Sequence, residues 1–452
     1  MAVLKRSLSL FDAIMINLGA IIGAGIFVII GIAAGKAGPY LPVAILLSGA
    51  IAAFTGLSFS EIAREVAKEG GVYEYAKDTL NRFAGFIGGM AWIFSNIIAI
   101  SAVSMSTGGY INSLFGINAP VIYFALSTIF IFAIVNMLGI KNSAKTIAML
   151  VIVNVTVLVI FIVSGMFRFN PSHFYAVAPF GFGGILEATA IIFFAFTGFS
   201  RITTVSDEVD DPKRTIPKAI VLSIIISAII YTLVAVVAIG DVPYMALAGS
   251  SAPLSVAEAN INNYILDAII AIGGITATAG VTLTGILGAS RVLFAMGRDR
   301  ELPAKLSKID RFSTPQYAII VTSIISAAFV VLVSFNTIVE ASNAAALFAY
   351  LVINLAALKL YIKKKGISLV HIKRNLIERD YFAVIPILGI LTTLLVILYL
   401  GITSLSILAV IIIASSIYYF AAEFMRKKHT LPKAKATARH SFVRLFGRSR
   451  AE

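Results

Sequence analysis

Long apolar runs, each ended by a charged or proline-containing stretch, recur from near the N-terminus to Phe424. A helix that crosses the hydrocarbon core needs about 20 mostly apolar residues. On that scale the runs predict helices near 11–34, 41–62, 83–114, 120–139, 144–166, 185–206, 216–240, 264–297, 315–335, 338–360, 382–401 and 404–425. The first run follows Lys5 and Arg6, as the core of a secretory leader would. It continues from Ala13 to Ala34, beyond the roughly 7–15 residues of a leader's apolar core, and therefore reads as the first membrane helix.

Composition strengthens this picture. Of the 452 residues, 59% are hydrophobic and 13% charged, whereas soluble chains carry about 45–50% apolar and about 25% charged residues. Only lipid can cover that much apolar surface, so the chain is expected to be an all-α integral membrane protein. A transporter domain would span residues 1–425, with a basic cytoplasmic tail at 426–452. There is no cysteine, which rules out disulfides and thiolate metal sites. His173, His371, His429 and His440 fall in connecting or tail segments, so no metal centre and no other cofactor is expected.

A net charge of +14 raises the possibility of a nucleic-acid partner until its distribution is considered. With the N-terminus in the cytoplasm, the Lys and Arg residues gather at one side, at 5–6, 64–82, 141–145, 201–218, 291–311, 359–379 and 426–450. Only Lys36 and Arg168 fall on the other side. This is the positive-inside pattern of a multi-pass protein of the cell membrane with both termini cytoplasmic, and it leaves no need for nucleic acid. The tail segment from Arg439 to Arg448 mixes basic and apolar residues and fits either a membrane-surface helix or a solvated tail.

Two predicted helices carry breaks. In the first, Gly19-Ala-Ile-Ile-Gly23-Ala24-Gly25-Ile26-Phe27 is dense enough in glycine to unwind and expose backbone N–H groups. Close helix packing through Gly19 and Gly23 is the alternative. In the sixth, Phe193-Phe194-Ala195-Phe196-Thr197-Gly198-Phe199 interrupts an apolar span. Paired interruptions in corresponding helices of two halves point to a midplane transport site. N–H donors at one break and carbonyls at the other would together satisfy a zwitterion such as an amino acid.

These residues resemble the amino acid–polyamine–organocation transporters over about residues 4–425. The likeness rests on Leu4 through Phe27, on Phe194-Ala-Phe-Thr-Gly-Phe followed by Ser206-Asp207-Glu208-Val209-Asp210-Asp211-Pro212-Lys213-Arg214-Thr215-Ile216-Pro217, and on Ser290-Arg291 through Pro303. The resemblance implies about twelve transmembrane helices. Ten would form a 5+5 inverted repeat (LeuT-like), with halves at about 11–166 and 185–360, and two more would follow at about 382–425. It implies secondary-active or exchange transport of amino acids by alternating access, and no enzymatic activity. Gly23, Ala24, Gly25 and Ile26 would face the substrate carboxylate. Phe194, Ala195, Phe196 and Thr197 would serve the amino group, with Phe196 also an aromatic lid. Glu208 would form a gate with Arg291 or Arg298.

Coupling is where the sequence departs from its relatives. Some carry a lysine in the fifth helix that links transport to protons; the matching position here is Asn154, which does not titrate. Sodium-coupled relatives use hydroxyls of the eighth helix, and Thr282 and Thr284 lie in the corresponding region, although threonines in membrane helices commonly bond to their own backbone. The coupling ion, proton or sodium, stays open. Glu187, an acid in the outer half of the sixth helix, would recruit a cationic substrate or proton, or would simply meet the helix dipole. Trp92, Asn96, Ser101 and Ser104 are candidates for the side-chain pocket. The partners expected are a small amino acid and the bilayer, with no oligomeric state implied. The alternatives are a cationic amino acid or polyamine carrier and a non-transporting nutrient sensor of the same fold.

Overall fold

The computed structural model describes residues 7–446 apart from positions 24, 67, 176, 249, 251–252, 259–263, 333–334 and 366–380. Helix α1 (Leu10–Ile21) begins at a reciprocal cap: the Asp12 N–H donates to Ser9 Oγ, and the Ser9 N–H donates to Asp12. Such a box satisfies two of the N–H groups that a helix start leaves unpaired. The residues before it are clipped in place, with the Ser7 and Leu8 N–H groups both donating to the Glu208 carbonyl and the Asp210 N–H returning to Leu8.

After Ile21 the chain runs through a π turn (Gly25–Ile29) into α2 (Ile30–Ala37) and α3 (Leu41–Glu65). There follow α4 (Val72–Thr79), α5 (Arg82–Phe115), α6 (Val121–Met137), α7 (Ile140–Met166) and α8 (Gly181–Phe196). A 3₁₀ segment (Thr197–Glu208) leads into α9 (Pro212–Asp241), the short α10 (Tyr244–Leu247) and α11 (Pro253–Glu258), then α12 (Tyr264–Arg298) and α13 (Gln316–Leu332). Helices α14 (Phe335–Lys365), α15 (Tyr381–Leu398) and α16 (Ile402–Phe446) complete the described chain. The backbone of α16 continues through most of the segment expected to be a separate tail.

Eight stretches among the described residues are long and apolar enough to cross a membrane. The first, Leu10–Glu65, contains two of the predicted helices end to end. Predicted helices near 120–139, 315–335 and 382–401 appear as shorter apolar helices at Val121–Met137, Gln316–Leu332 and Val384–Leu398. The described residues are thus helical throughout their regular structure, with the apolar spans of a multi-pass membrane protein.

Helix α5 packs along α12, α14 and α6, and α3 packs along α9. They surround α1 and the broken helix made of α8 and the 3₁₀ segment, where Ile21, Phe193 and Phe196 are buried. Large apolar residues such as Phe130, Met149, Ile152, Val410 and Ile413 face outward, as suits a surface solvated by lipid.

Candidate functional site

Both sequence breaks are real breaks in the helical ladder, and each has a local cause. In the first, the Ile22 N–H closes onto Leu18 and the ladder resumes only with the Phe27 N–H on Gly23, at 3.4 Å. In the second, hydroxyls take over the carbonyls: Thr197 donates to Phe194, Thr203 to Ser200, Thr204 to Arg201 and Ser206 to Thr203, each at 2.7–2.8 Å. Bonds to the residue three back compete with the α-helical ladder. They accompany a 3₁₀ segment of 12 residues that is itself interrupted at Val205, where φ −116° and ψ 26° leave the helical region, and 3₁₀ pieces longer than about 3–4 residues are uncommon.

The two breaks touch. A Cβ on Gly25 would lie 2.2 Å from Ala195 Cβ, and one on Gly198 would lie 2.3 Å from the Ala20 carbonyl carbon. Each break therefore needs a glycine so that the other can approach. Tyrosines brace the freed carbonyls: Tyr231 donates to Ile21 at 2.6 Å, Tyr110 to Phe27 at 2.6 Å, and Tyr350 to Thr197. Asn17 ties the 3₁₀ segment to α1 by accepting the Ile202 N–H at 3.0 Å.

A small cavity of about 20 Å³ lies beside this contact. That is room for about one water and far too little for an amino acid, so a substrate enters only if the helices part. Of the residues predicted to contact substrate, Gly25, Phe194, Ala195 and Thr197 line the cavity, along with Trp92 and Asn96. Gly23 does not line it. A side chain there would strike Val281 of α12, and Ile26 is buried in the π turn. Ala24 lies outside the described residues. Phe196 is turned away: its ring packs edge-on to Tyr231 at 5.4 Å and against Gly49, whereas Phe194 faces the cavity. Ser101 is bonded to Ile97 and Ser326, and Ser104 to Ser101; neither lines the cavity.

The cavity also holds a residue that the sequence reading misplaced. Arg201, counted among the cytoplasmic charges, is 5% exposed and lines the cavity. Its Nη1 donates to Asn96 Oδ1, its guanidinium lies 5.1 Å from the Trp92 ring centre, and its Nε–H has no partner. A desolvated cation–π contact contributes about 2 kcal/mol and a hydrogen bond from a charged group about 1.5–3 kcal/mol. The effective cost of burying an ion is several kcal/mol, so these contacts roughly offset it while leaving the unit charge in place. The signal for Arg201 was in the sequence, as a basic residue inside the predicted span 185–206.

At the end of the bundle near Leu8, Arg291 is fully buried, with Nε donating to Glu208 at 2.9 Å and Glu69 3.7 Å away. Burial pushes the Glu69 carboxyl well above its usual range, against the pull of Arg291 and with a further push from Glu208. Arg298 reaches Glu74 at 2.6 Å and comes within 4.0 Å of Asp207. Lys213 and Arg214, adjacent in sequence to the acids, are exposed instead. At the opposite end Arg168 joins Asp241 at 2.6 Å and Glu258 at 2.9 Å.

The coupling candidates scatter. Asn154 is buried and accepts a bond from Thr276, while its Nδ2 has no partner. Thr282 donates to Thr278 at 3.0 Å, and Thr284 to Gly280 at 2.9 Å, each within its own helix. Glu187 pairs with Lys36 at 2.6 Å, both partly exposed.

The amino acid permease family model matches residues 12–435. The chain is 32% identical to the branched-chain amino acid permease BcaP of Bacillus subtilis over 92% of its own length and 93% of that protein. It is 29% identical to the methylthioribose transporter of the same organism, covering 79% of this chain and 81% of that protein. Identity to the vacuolar cationic amino acid transporter 4 of Arabidopsis thaliana is 30%, over 83% of this chain and 67% of that one.

Proposed function

This chain belongs to the amino acid permease family, and from that premise we propose that it carries amino acids by alternating access, with the substrate held where its two broken helices meet. The observation that supports this most is the mutual contact of Gly25 with Ala195 and of Gly198 with Ala20 beside a common cavity. There the α-carboxylate meets N–H groups after α1 and the ammonium meets carbonyls at the end of α8, as helix ends of those signs favour. Phe194, rather than Phe196, is the aromatic lid. Twelve spans in two inverted five-helix halves plus two, with both termini cytoplasmic, complete the reading.

In this scheme the Arg291–Glu208 pair is the cytoplasmic gate and Arg168 with Asp241 and Glu258 the outer one. The cycle breaks them alternately. Transport is secondary-active or by exchange, driven by a proton or sodium gradient or by counter-substrate. Recruitment of a cationic substrate by Glu187 draws no support from its pairing with Lys36.

The test is uptake of a panel of radiolabelled amino acids into liposomes holding the purified protein, with imposed sodium or proton gradients and with internal substrate. Saturable uptake that Gly25→Leu abolishes is expected. Absence of uptake and of binding for every amino acid, in a folded sample, refutes the proposal. Binding without uptake under any gradient or exchange condition identifies a sensor.

A further inference from the structure

Arg201 is a buried cation facing the central cavity, and no residue that lines the cavity is an acid. Among the described residues no carboxylate lies within ion-pair distance of it, and Asn96 is the acceptor that its side chain reaches. Space for the guanidinium is built in: a Cβ on Gly288 of α12 would fall 2.6 Å from Arg201 Cδ and 2.7 Å from Nη1. Trp92 covers its face, and Trp92 Nε1 is itself directed to Ser200 at 3.4 Å. The side chain is thus held in one position with its charge unanswered and its Nε–H unpaired.

Such a group distinguishes substrates by charge. A cationic amino acid would add a second positive charge to a water-poor site. A neutral one brings a carboxylate and an ammonium that cancel, leaving the arginine uncompensated. An amino acid with an anionic side chain supplies the missing counter-charge. Resting on the transport reading above, we infer that Arg201 is the side-chain subsite for a dicarboxylic amino acid of the aspartate or glutamate type. Its guanidinium takes the distal carboxylate, and the α-groups sit at the helix breaks. The same charge excludes lysine and arginine.

The inference is tested on the full-length protein in liposomes by competition of unlabelled aspartate, glutamate, asparagine, glutamine, leucine and lysine against a transported label. Thermal stabilisation by each ligand is read in parallel. Aspartate or glutamate should compete roughly 100-fold better than its amide, the scale of a charge-assisted hydrogen bond in a buried site, and lysine should not compete. Arg201→Gln should erase the difference between acid and amide while the variant still melts cooperatively, and Arg201→Lys should retain part of it. Equal competition by glutamate and glutamine in the wild type places the guanidinium on the α-carboxylate or on no substrate group, and overturns the inference. Preference for leucine or lysine likewise overturns it while leaving amino acid transport intact. Failure of every amino acid to bind removes the transport reading itself.

Discussion

Among the described residues two arginines are buried, and their surroundings are opposite. Arg291 lies against Glu208 and Glu69, two carboxylates for one cation, whereas Arg201, 90 positions earlier, has an asparagine, a tryptophan face and a cavity. Charge closed on itself serves to hold helices together. Charge left open is what the subsite inferred above requires, so the two sites should respond differently to the same substitution.

The largest contrast is expected in stability. Arg291→Gln strands Glu208 and Glu69 in the interior, and breaking a buried pair costs about 3–5 kcal/mol. Arg201→Gln removes a cation that no carboxylate answers and whose contacts to Asn96 and Trp92 only roughly offset its burial, so its melting temperature in detergent should stay close to the wild type. Comparable losses in the two melts would mean that Arg201 is also structural. Next in size is the cavity itself: Phe194→Ala should lower uptake by about tenfold, equivalent to about 1.4 kcal/mol, and Phe196→Ala should act through folding yield rather than through apparent affinity. Measured uptake normalised to folded protein separates the two.

A smaller effect sharpens the Arg291 side. Burial holds the Glu69 carboxyl above its ordinary range near 4.5, so between that value and its raised folded value the native chain keeps a proton that the unfolded chain has released. Stability must then fall as pH rises through that window. Glu69→Gln carries no titrating group and should flatten the slope in a series of melts from pH 4.5 upward; an unchanged slope would place the titration elsewhere. The smallest effect belongs to Glu187→Gln. Its pair with Lys36 is partly exposed, and such pairs contribute about 0–1 kcal/mol, so stability and the discrimination against lysine should both be nearly untouched.

Much of the architecture was legible because lipid imposes a coarse rule on sequence. The predicted helix near 83–114 is α5 within a residue or so, and those near 41–62 and 264–297 are α3 and α12. The breaks were legible as well, through glycine density in the first helix and a Thr-Gly step in the sixth. What the pattern could not carry was direction. Phe194 and Phe196 are equally apolar in the sequence; two residues apart on α8 they face nearly opposite sides, and only the tertiary packing decides which side meets the cavity and which meets Tyr231. The hydroxyls of Thr282 and Thr284, by contrast, close on their own helix, as threonines in membrane helices commonly do.

The sequence by itself determined the class of solvent this chain folds in, the positions of its helices and the existence of two breaks, because hydropathy and glycine content act locally along the chain. The tertiary structure decided which charges answer one another. Glu69, Glu208 and Arg291 come from three distant segments, and Arg201 meets its asparagine across 105 positions. Electrostatic energy depends on distance and desolvation in space, and neither is a property of a residue's place in the sequence.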